Sequence, residues 1–219
     1  MKVVALLPMK GQSERVPNKN MRMFNGSPLC AVMLEKLTST RSISNVLVNT
    51  DSIQIKTFIS QHFPKVQVID RPAALVGHDV SMNKIIQHDI DILDADVYIQ
   101  THTTNPLLRI SSIEDAIAEF TSGLDFYDSL FSVTKYQTRF YDKDGVAINH
   151  DPKVLIKTQD LPILYEENSC IYLFKKDVIK QTGRRIGRVP RLYEIDAMEA
   201  VDIDVESEFL LAEKLFKVI

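Results

Sequence analysis

The alternation of short apolar runs with amphipathic stretches over the first 135 residues constrains the fold most strongly. The apolar runs are KVVALL at 2–7, NVLVNT at 45–50, VQVI at 66–69, DVYIQT at 96–101 and SLFSVT at 129–134. Continuous apolar runs of this length are typical of strands that are buried on both faces. The stretches between them predict four helices. One begins at Pro28, and the others lie over 53–63, 81–93 and 110–120. Repeated strand–helix units predict an α/β fold of three layers, with helices on both faces of a mostly parallel sheet.

The alternation of predicted strands and helices ends after residue 135. Residues 136–168 are polar, rich in turn residues and strand-prone, and Asp144-Gly145 is a good hairpin signal. SCIYLF at 169–174 then resumes the core, and VDIDV at 201–205 predicts a strand before the terminal helix. The chain therefore reads as one domain over 1–219 that contains an inserted segment at 136–168.

Composition limits the partners. The 219 residues carry a net charge of -3, so no global basic field is available to attract nucleic acid. No apolar run reaches membrane-spanning length, and the apolar part of the N-terminus is too short for a signal peptide. Two cysteines that lie far apart in sequence cannot build a disulfide framework. These features predict a soluble, reduced, cytoplasmic protein without a nucleic-acid or membrane partner.

The loop after the first predicted strand concentrates positive charge. LLPMKGQSERVPNKN, residues 6–20, carries Lys10, Arg15 and Lys19. Ligands of open α/β sheets bind at the carboxyl ends of the strands, where this loop lies. It matches neither the dinucleotide-binding nor the P-loop pattern, yet its cations and free amides suit a phosphate chain. The alternative interpretation is a solvated loop whose charges only confer solubility.

Two aspartates near the C-terminus form a second charged feature. Asp202 and Asp204 are two residues apart, so on the predicted strand both carboxylates would face the same side. Like charges on one face repel, and a divalent cation would turn that repulsion into coordination. Oxygen ligands alone suit magnesium. An exposed edge strand is the alternative.

Single residues after other strands are less specific. Arg71 in DRPAAL could be a structural surface arginine, which is the commoner role of such residues. Gln100 ends a buried strand, where its amide needs either a protein partner or a ligand. The five histidines show no metal-ligand spacing and are interpreted as surface residues, of which His102 alone lies near the predicted site.

The loop 6–20 resembles the signature loop of the acylneuraminate cytidylyltransferases, the CMP-sialic acid synthetases and their bacterial relatives. The resemblance continues in order along nearly the whole chain, through VLVNTD, DRPAAL, YIQTHTTNPLLR, SLFSVT, ENSCIY and AVDIDVESEFLLAE. It implies a nucleotide-diphospho-sugar transferase-like fold and a reaction of CTP with a nonulosonic, sialic-type acid that gives a CMP-sugar and pyrophosphate. It also implies a magnesium requirement and a homodimer built partly on the inserted segment.

The resemblance assigns roles to individual positions. It implies catalytic Lys10 and Lys19; nucleotide-binding Gly11, Arg15, Asn20, Arg71 and Ser81; sugar-binding Gln100 and Tyr172; and metal-binding Asp202 and Asp204. The chemistry follows from charge, because the cations and the metal would neutralise a triphosphate that otherwise repels an acidic sugar. The sugar hydroxyl would then attack the α-phosphorus in line, and positioning would dominate catalysis.

The departures from the family pattern fall mainly on the sugar side. Glu14 stands where the family often has lysine, and the spacer in QTHTTNPLLR is longer than usual. Glu166 and Glu167 precede Asn168, where sialic-acid enzymes tend to have Arg-Pro. We therefore expect an acceptor that need not be N-acetylneuraminic acid, with Glu166 in its pocket. The cations available in or beside the insert for its carboxylate are Lys135, Arg139 and Lys157.

Other functions compete with this interpretation. A phosphatase with a paired-aspartate signature would carry it directly after the first strand, where this chain has Pro8-Met9-Lys10. A synthetase of the CMP-Kdo type and a non-catalytic nucleotide-binding protein of the same fold remain open.

Overall fold

The computed structural model describes residues 1–77 and 79–218. Nine strands and six helices are found there. The strands are β1 (Val3–Leu6), β2 (Met23–Phe24), β3 (Ser27–Pro28), β4 (Asn45–Thr50), β5 (Gln67–Asp70), β6 (Val97–Gln100), β7 (Ser129–Tyr136), β8 (Leu164–Phe174) and β9 (Pro190–Glu194). The helices are α1 (Leu29–Ser39), α2 (Ile53–His62), α3 (Met82–Ile92), α4 (Ile110–Ser122), α5 (Lys176–Thr182) and α6 (Glu206–Leu215).

Seven of the strands form the central sheet, in the order β5-β4-β1-β6-β8-β7-β9. The pairs β1–β4, β1–β6, β4–β5 and β7–β9 are parallel. Only β8 runs against its two neighbours, β6 and β7. The mostly parallel sheet predicted from the sequence is therefore confirmed. Because β1, β4, β5 and β6 are parallel, their carboxyl ends lie at the same edge of the sheet.

Helices cover both faces of this sheet, as predicted. On one face Met33 of α1, Ile55 of α2 and Ile113 of α4 pack in a single buried cluster with alternate residues of β1. On the other face Ile86 of α3 and Ile179 of α5 pack against the remaining β1 residues. This alternation explains why β1 is apolar throughout: the strand contributes side chains to two cores at once.

Several elements differ from the sequence predictions. Residues 201–204 form no strand; they are attached to the loop after β6 by the Ile203 amide, which donates to the Thr104 carbonyl at 2.9 Å. The small β2–β3 pair, β9 and α5 were not predicted. His78, and Ile219 at the end of the predicted terminal helix, lie outside the described residues.

The inserted segment is partly a continuation of the sheet. β7 and β8 remain paired out to Tyr136 and Leu164, so the ends of 136–168 form a two-stranded ribbon. Beyond the ribbon the chain turns at Asp144-Gly145, where Gly145 has φ +79° and Tyr141 bridges Ala147, as the hairpin signal indicated. The Asn149 side chain holds this excursion together through the backbone of 138, 140 and 162.

Among the helices in the described part of the chain, none is long and apolar enough to cross a membrane.

Candidate active site

A cleft of about 410 Å³ opens at the carboxyl ends of β1 and β6. Its walls come from the loop after β1, the loop after β6, the segment 201–204 and the chain after α5. The lining includes Lys10, Arg15, Lys19, His102, Thr104, Arg185, Asp202 and Asp204. The predicted cationic loop and the predicted aspartate pair therefore meet in one cavity.

Asp204 joins the cations of the first loop. Its Oδ1 lies 2.9 Å from Arg15 Nη2 and 3.8 Å from Lys19 Nζ. Lys19 Nζ also donates to the Ile203 carbonyl at 2.5 Å. Burial lowers the pKa of Lys19 and the nearby carboxylates of Asp204 and Asp202 oppose that shift. The loop and the C-terminal segment thus hold each other in place by charge.

Asp202 is positioned differently. Its carboxylate is hydrogen-bonded to Thr104. Burial raises the pKa of this carboxyl group, and the negative charge of Asp204 raises it further by a smaller amount. No cluster of three or more histidine, cysteine or acidic side chains suited to a metal occurs among residues 1–77 and 79–218. The protein thus offers two carboxylates, a donor set that fits magnesium when phosphates and water complete the coordination. The predicted strand is wrong, yet both carboxylates line the same cleft.

Two predicted nucleotide residues shape the loop after β1. Buried Asn20 donates from Nδ2 to the Lys10 carbonyl at 2.9 Å and accepts from Thr103 Oγ1 at 2.6 Å. The Gly11 amide donates to Asp51 Oδ1 at 2.7 Å. A Cβ on Gly11 would lie 2.8 Å from the Ser52 Cβ, so a side chain there would push the loop outward. The backbone of the loop is thereby fixed before any ligand binds.

A second depression, of about 470 Å³, lies on the other side of Lys10. Arg71 lines it and is half-buried rather than a free surface residue. Its Nε donates to Asn49 Oδ1 at 2.9 Å, and its Nη2 donates to the carbonyls of Asn49 and Met9. Asn49 Nδ2 in turn donates to the buried Asp89 at 2.5 Å. A chain of side-chain hydrogen bonds from α3 therefore fixes the guanidinium at the end of β4.

Ser81 lies directly before α3, as its predicted capping position requires, but its side chain makes no capping hydrogen bond. It is exposed, and the next residue, Met82, lines the cleft. Its predicted contact with the nucleotide stays a prediction.

The predicted sugar residues, Gln100 and Tyr172, are both fully buried beside the cleft. Gln100 Nε2 lies 2.9 Å from His102 Nε2, and Arg185 Nη1 donates to Gln100 Oε1. The Arg185 Cζ stands 3.5 Å from the centroid of the Tyr172 ring. The Tyr172 hydroxyl donates to Glu167 Oε1 at 2.5 Å. Gln100 and Tyr172 therefore support His102 and Arg185, whose side chains reach the cavity.

Two of these residues escaped the sequence interpretation. Arg185 was not singled out, because it lies in the segment TGRRIGR, whose arginines cannot be told apart by sequence. The interpretation of His102 as a surface residue is wrong: it is half-buried in the cleft, and burial lowers its pKa to about 3, helped by the charges of Arg185 and Lys19. Its place two residues after Gln100 was the available signal.

The candidates for the acceptor pocket on the insert do not line this cleft in the protomer. Glu166 accepts from the Tyr136 hydroxyl at 3.1 Å on the ribbon. Arg139 donates to the Ile156 carbonyl at 2.5 Å within the insert. Lys135 and Lys157 are likewise outside the lining, and Lys135 is exposed. Neighbouring residues of β8 face opposite sides, so Glu167, not Glu166, points toward Tyr172.

Comparison with known proteins finds relatives that align with nearly the whole chain. Residues 4–217 match the family described as Cytidylyltransferase. An N-acylneuraminate cytidylyltransferase A of Danio rerio is 26% identical over 219 residues, which cover 97% of this chain and 50% of that protein. An 8-amino-3,8-dideoxy-manno-octulosonate cytidylyltransferase of Shewanella baltica is 31% identical over 223 residues, which cover 92% of this chain and 86% of that protein.

A solved structure of a CMP:2-keto-3-deoxy-manno-octonic acid synthetase complexed with CTP superposes with a TM-score of 0.75 at 14% identity, covering 100% of this chain and 99% of that chain. At that identity the likeness shows the fold. The chain spans about half the length of the zebrafish relative and most of the bacterial one. From the sequence match over 4–217, this chain belongs to the cytidylyltransferase family.

Proposed function

We propose that this protein is a CTP-dependent cytidylyltransferase that activates a nonulosonic, sialic-type acid, giving the CMP-sugar and pyrophosphate. One observation carries the proposal: a single cleft joins the three cations of the first loop, the Asp202–Asp204 pair and a separate arginine, Arg185. A triphosphate and an acidic sugar are both anions, and their reaction needs positive charge at two places in one cavity.

Lys10, Arg15 and Lys19 bind the triphosphate in this proposal, and Arg71 lies on the nucleoside side. Asp202 and Asp204 would hold a magnesium ion, which when bound supplies positive charge to the triphosphate and the departing pyrophosphate. Arg15 then exchanges its present partner Asp204 for phosphate oxygens, a change that costs little because the Arg15 and Asp204 side chains are 63% and 43% exposed.

The acceptor binds on the far side of the cleft, near His102 and Arg185. Its anomeric hydroxyl attacks the α-phosphorus in line, the new P–O bond forms as the bond to pyrophosphate breaks, and the hydroxyl proton leaves to solvent. His102 stays neutral because burial lowers its pKa to about 3, so its ring adds no charge beside the acceptor. The chain contributes mainly position and charge.

A Kdo-type acid is the second candidate acceptor. The bacterial relative named above acts, by its name, on an amino-substituted octulosonate and is 31% identical. Both acceptor classes are 3-deoxy-2-keto acids with a carboxylate on the reacting carbon, so the cleft described here suits either. A non-catalytic nucleotide-binding protein would need no aspartate pair beside its phosphate cations.

Homodimer formation through the inserted segment is part of the proposal. The segment 136–168 exposes large apolar side chains, among them Tyr141, Ile148, Val154 and Leu155, the last 91% exposed. Apolar patches of this kind mark interaction surfaces. Light scattering at micromolar concentration should give twice the chain mass of 24.9 kDa. Leu155→Asp should lower that mass, whereas Ile53→Asp, at a similarly exposed apolar site on α2 (83% exposed), should not. A monomeric native protein would contradict this part.

The experiment that tests the function is a pyrophosphate-release assay with magnesium. CTP, UTP and ATP are each paired with N-acetylneuraminic acid, other nonulosonic acids, Kdo and its 8-amino derivative. We expect release with CTP and at least one acid, and a preference for CTP over UTP of about tenfold or more, since a wrong base leaves buried polar groups unpaired. Equal turnover of UTP would contradict the cytidylyl assignment, and a strong preference for the Kdo acids would favour the second candidate.

A further inference from the structure

Arg185 is the best-fixed cation of the cleft outside the first loop. It lies between α5 and β9, and its backbone amide donates to Asn83 Oδ1 of α3 at 3.2 Å. Its guanidinium donates to Gln100 Oε1 and lies over the Tyr172 ring, with Cζ 3.5 Å from the ring centroid. Three elements, α3, β6 and β8, therefore define where this charge stands.

The partners of this guanidinium are neutral. Among residues 1–77 and 79–218, no carboxylate forms an ion pair with Arg185, in contrast to Arg15 and Asp204. Glu167 forms no ion pair with Arg185 and instead accepts from the Tyr172 hydroxyl, although its charge raises the pKa of Arg185. Burial has the larger effect and lowers the pKa of Arg185 against the contributions of Tyr172 and Glu167. A half-buried cation without a direct ion pair is costly, and an anionic ligand would compensate that cost.

The position of Arg185 selects the kind of anion. The triphosphate has its own cations on the loop after β1, whereas Arg185 belongs to another wall of the cleft. The charges of Lys19 and Arg185 both act on the His102 ring and lower its pKa. The planar guanidinium matches a carboxylate through two parallel hydrogen bonds, which a lysine cannot provide. One end of the guanidinium is held by Gln100, and the cleft lies in front of it.

We propose that Arg185 binds the carboxylate of the acceptor acid and so selects 2-keto acids over neutral sugars. The inference rests on the proposed function, since it names the residue that recognises that reaction's acceptor. It moves this role from Lys135, Arg139 and Lys157, in or beside the insert, to a residue that lines the cleft itself. It also explains why Gln100 and Tyr172 are buried: they position the arginine rather than contact the sugar.

The test compares the native protein with two variants. Arg185→Met keeps the side-chain length but removes the charge, and Arg185→Lys keeps the charge but cannot donate two parallel hydrogen bonds to a carboxylate. Arg184→Met is the matched control, because Arg184 is exposed next to the cleft residue. KM for CTP and for the preferred acid is measured for each, together with turnover of the methyl ester of that acid. Thermal unfolding of each variant checks that the fold is intact.

We expect Arg185→Met to raise KM for the acid by roughly ten- to a hundredfold, the range of a charge-assisted contact, while KM for CTP stays within about twofold. Arg185→Lys should be intermediate. The native protein should prefer the acid over its ester, and Arg185→Met should lose that preference; Arg184→Met should behave as native.

Two results overturn the proposal in distinguishable ways. If the native protein turns over CTP with an acid and Arg185→Met keeps both the native KM and the preference over the ester, Arg185 does not bind the carboxylate, although the proposed function stands. If native protein releases pyrophosphate with none of the acids, the proposed function fails and the inference fails with it.

Discussion

The two halves of the cleft handle charge in opposite ways. In the nucleotide half, Arg15 and Lys19 come from one loop and are already balanced by Asp204. In the acceptor half, Arg185 is held by the neutral groups of Gln100 and Tyr172. The first arrangement pairs its cations with a carboxylate before any ligand binds, and the second keeps one half-buried cation ready for a single anion.

The two halves therefore recognise their ligands in different ways. Exposed ion pairs exchange partners at little cost, so the nucleotide half can adapt to a flexible triphosphate. A guanidinium fixed by an amide and an aromatic ring cannot adapt, so the acceptor half should discriminate more sharply among ligands. Mutations in the two halves should therefore separate into effects on the reaction with CTP and effects on the choice of acid.

The largest effect should come from Asp204→Asn. We expect kcat to fall by about a hundred- to a thousandfold or more, because a charge that organises the triphosphate and its metal is lost. Unfolding free energy should change by less than about 1 kcal/mol, since the lost pair with Arg15 is exposed.

Glu206→Gln is the control for that variant. Glu206 lies two residues away and also pairs with an arginine, Arg22, outside the cleft lining. It should leave kcat unchanged. Steady-state kinetics and chemical denaturation measure both quantities, and an active Asp204→Asn protein would show that the aspartate pair is structural.

An intermediate effect is expected from Arg71→Met. KM for CTP should rise by roughly tenfold, because a charged hydrogen-bond donor on the nucleoside side is removed, with KM for the acid nearly constant. Arg41→Met, at an exposed site after α1, serves as the control. A rise in KM for the acid instead of CTP would mean that the two halves are not separate sites.

The smallest effect concerns Asp89, which positions Arg71 through Asn49. Burial raises the pKa of the Asp89 carboxyl above its ordinary 3.8, against the opposing contacts of Asn49, His88 and Arg71. The folded protein therefore takes up this proton more readily than the unfolded chain, and the resulting stability is present at low pH and lost as pH rises through the folded pKa.

Asp89→Asn should remove that contribution. The unfolding free energy of the native protein, minus that of Asp89→Asn, should become less favourable as pH rises from about 3.8 toward neutrality. KM for CTP should rise less than in Arg71→Met. Denaturation at a series of pH values measures the difference, and an unchanged difference across the range would contradict the assignment of a raised pKa.

The fold was largely predictable because its signal is local. β4 is predicted to the residue, Asn45–Thr50, since an apolar run between turn residues determines a buried strand. The segment VDIDV was predicted wrongly. Its alternation of apolar and acidic residues is typical of a strand, but its backbone makes a single strand-like hydrogen bond, from the Ile203 amide. β9 was missed because its residues are mostly exposed at the sheet edge, where no apolar run is required.

The residues of the candidate site also differ in whether local sequence is enough to find them. Lys10, Arg15 and Lys19 were found because they occupy one contiguous loop at a strand end. Arg185 could not be found, because its importance arises only when β6 and β8 bring Gln100 and Tyr172 to the same place. A residue whose role depends on its tertiary neighbours leaves no recognisable spacing pattern in the sequence.

The chemical identity of the product distinguishes cytidylyl transfer from every other reaction of CTP. Native protein is incubated with CTP, magnesium and the acid that supports fastest pyrophosphate release, and the mixture is followed by phosphorus NMR and mass spectrometry. The account predicts one phosphodiester CMP-sugar for each pyrophosphate, in which the nucleotide is joined to the sugar carbon that bears the carboxylate. Formation of CDP and phosphate, or of free CMP without the sugar ester, would contradict it.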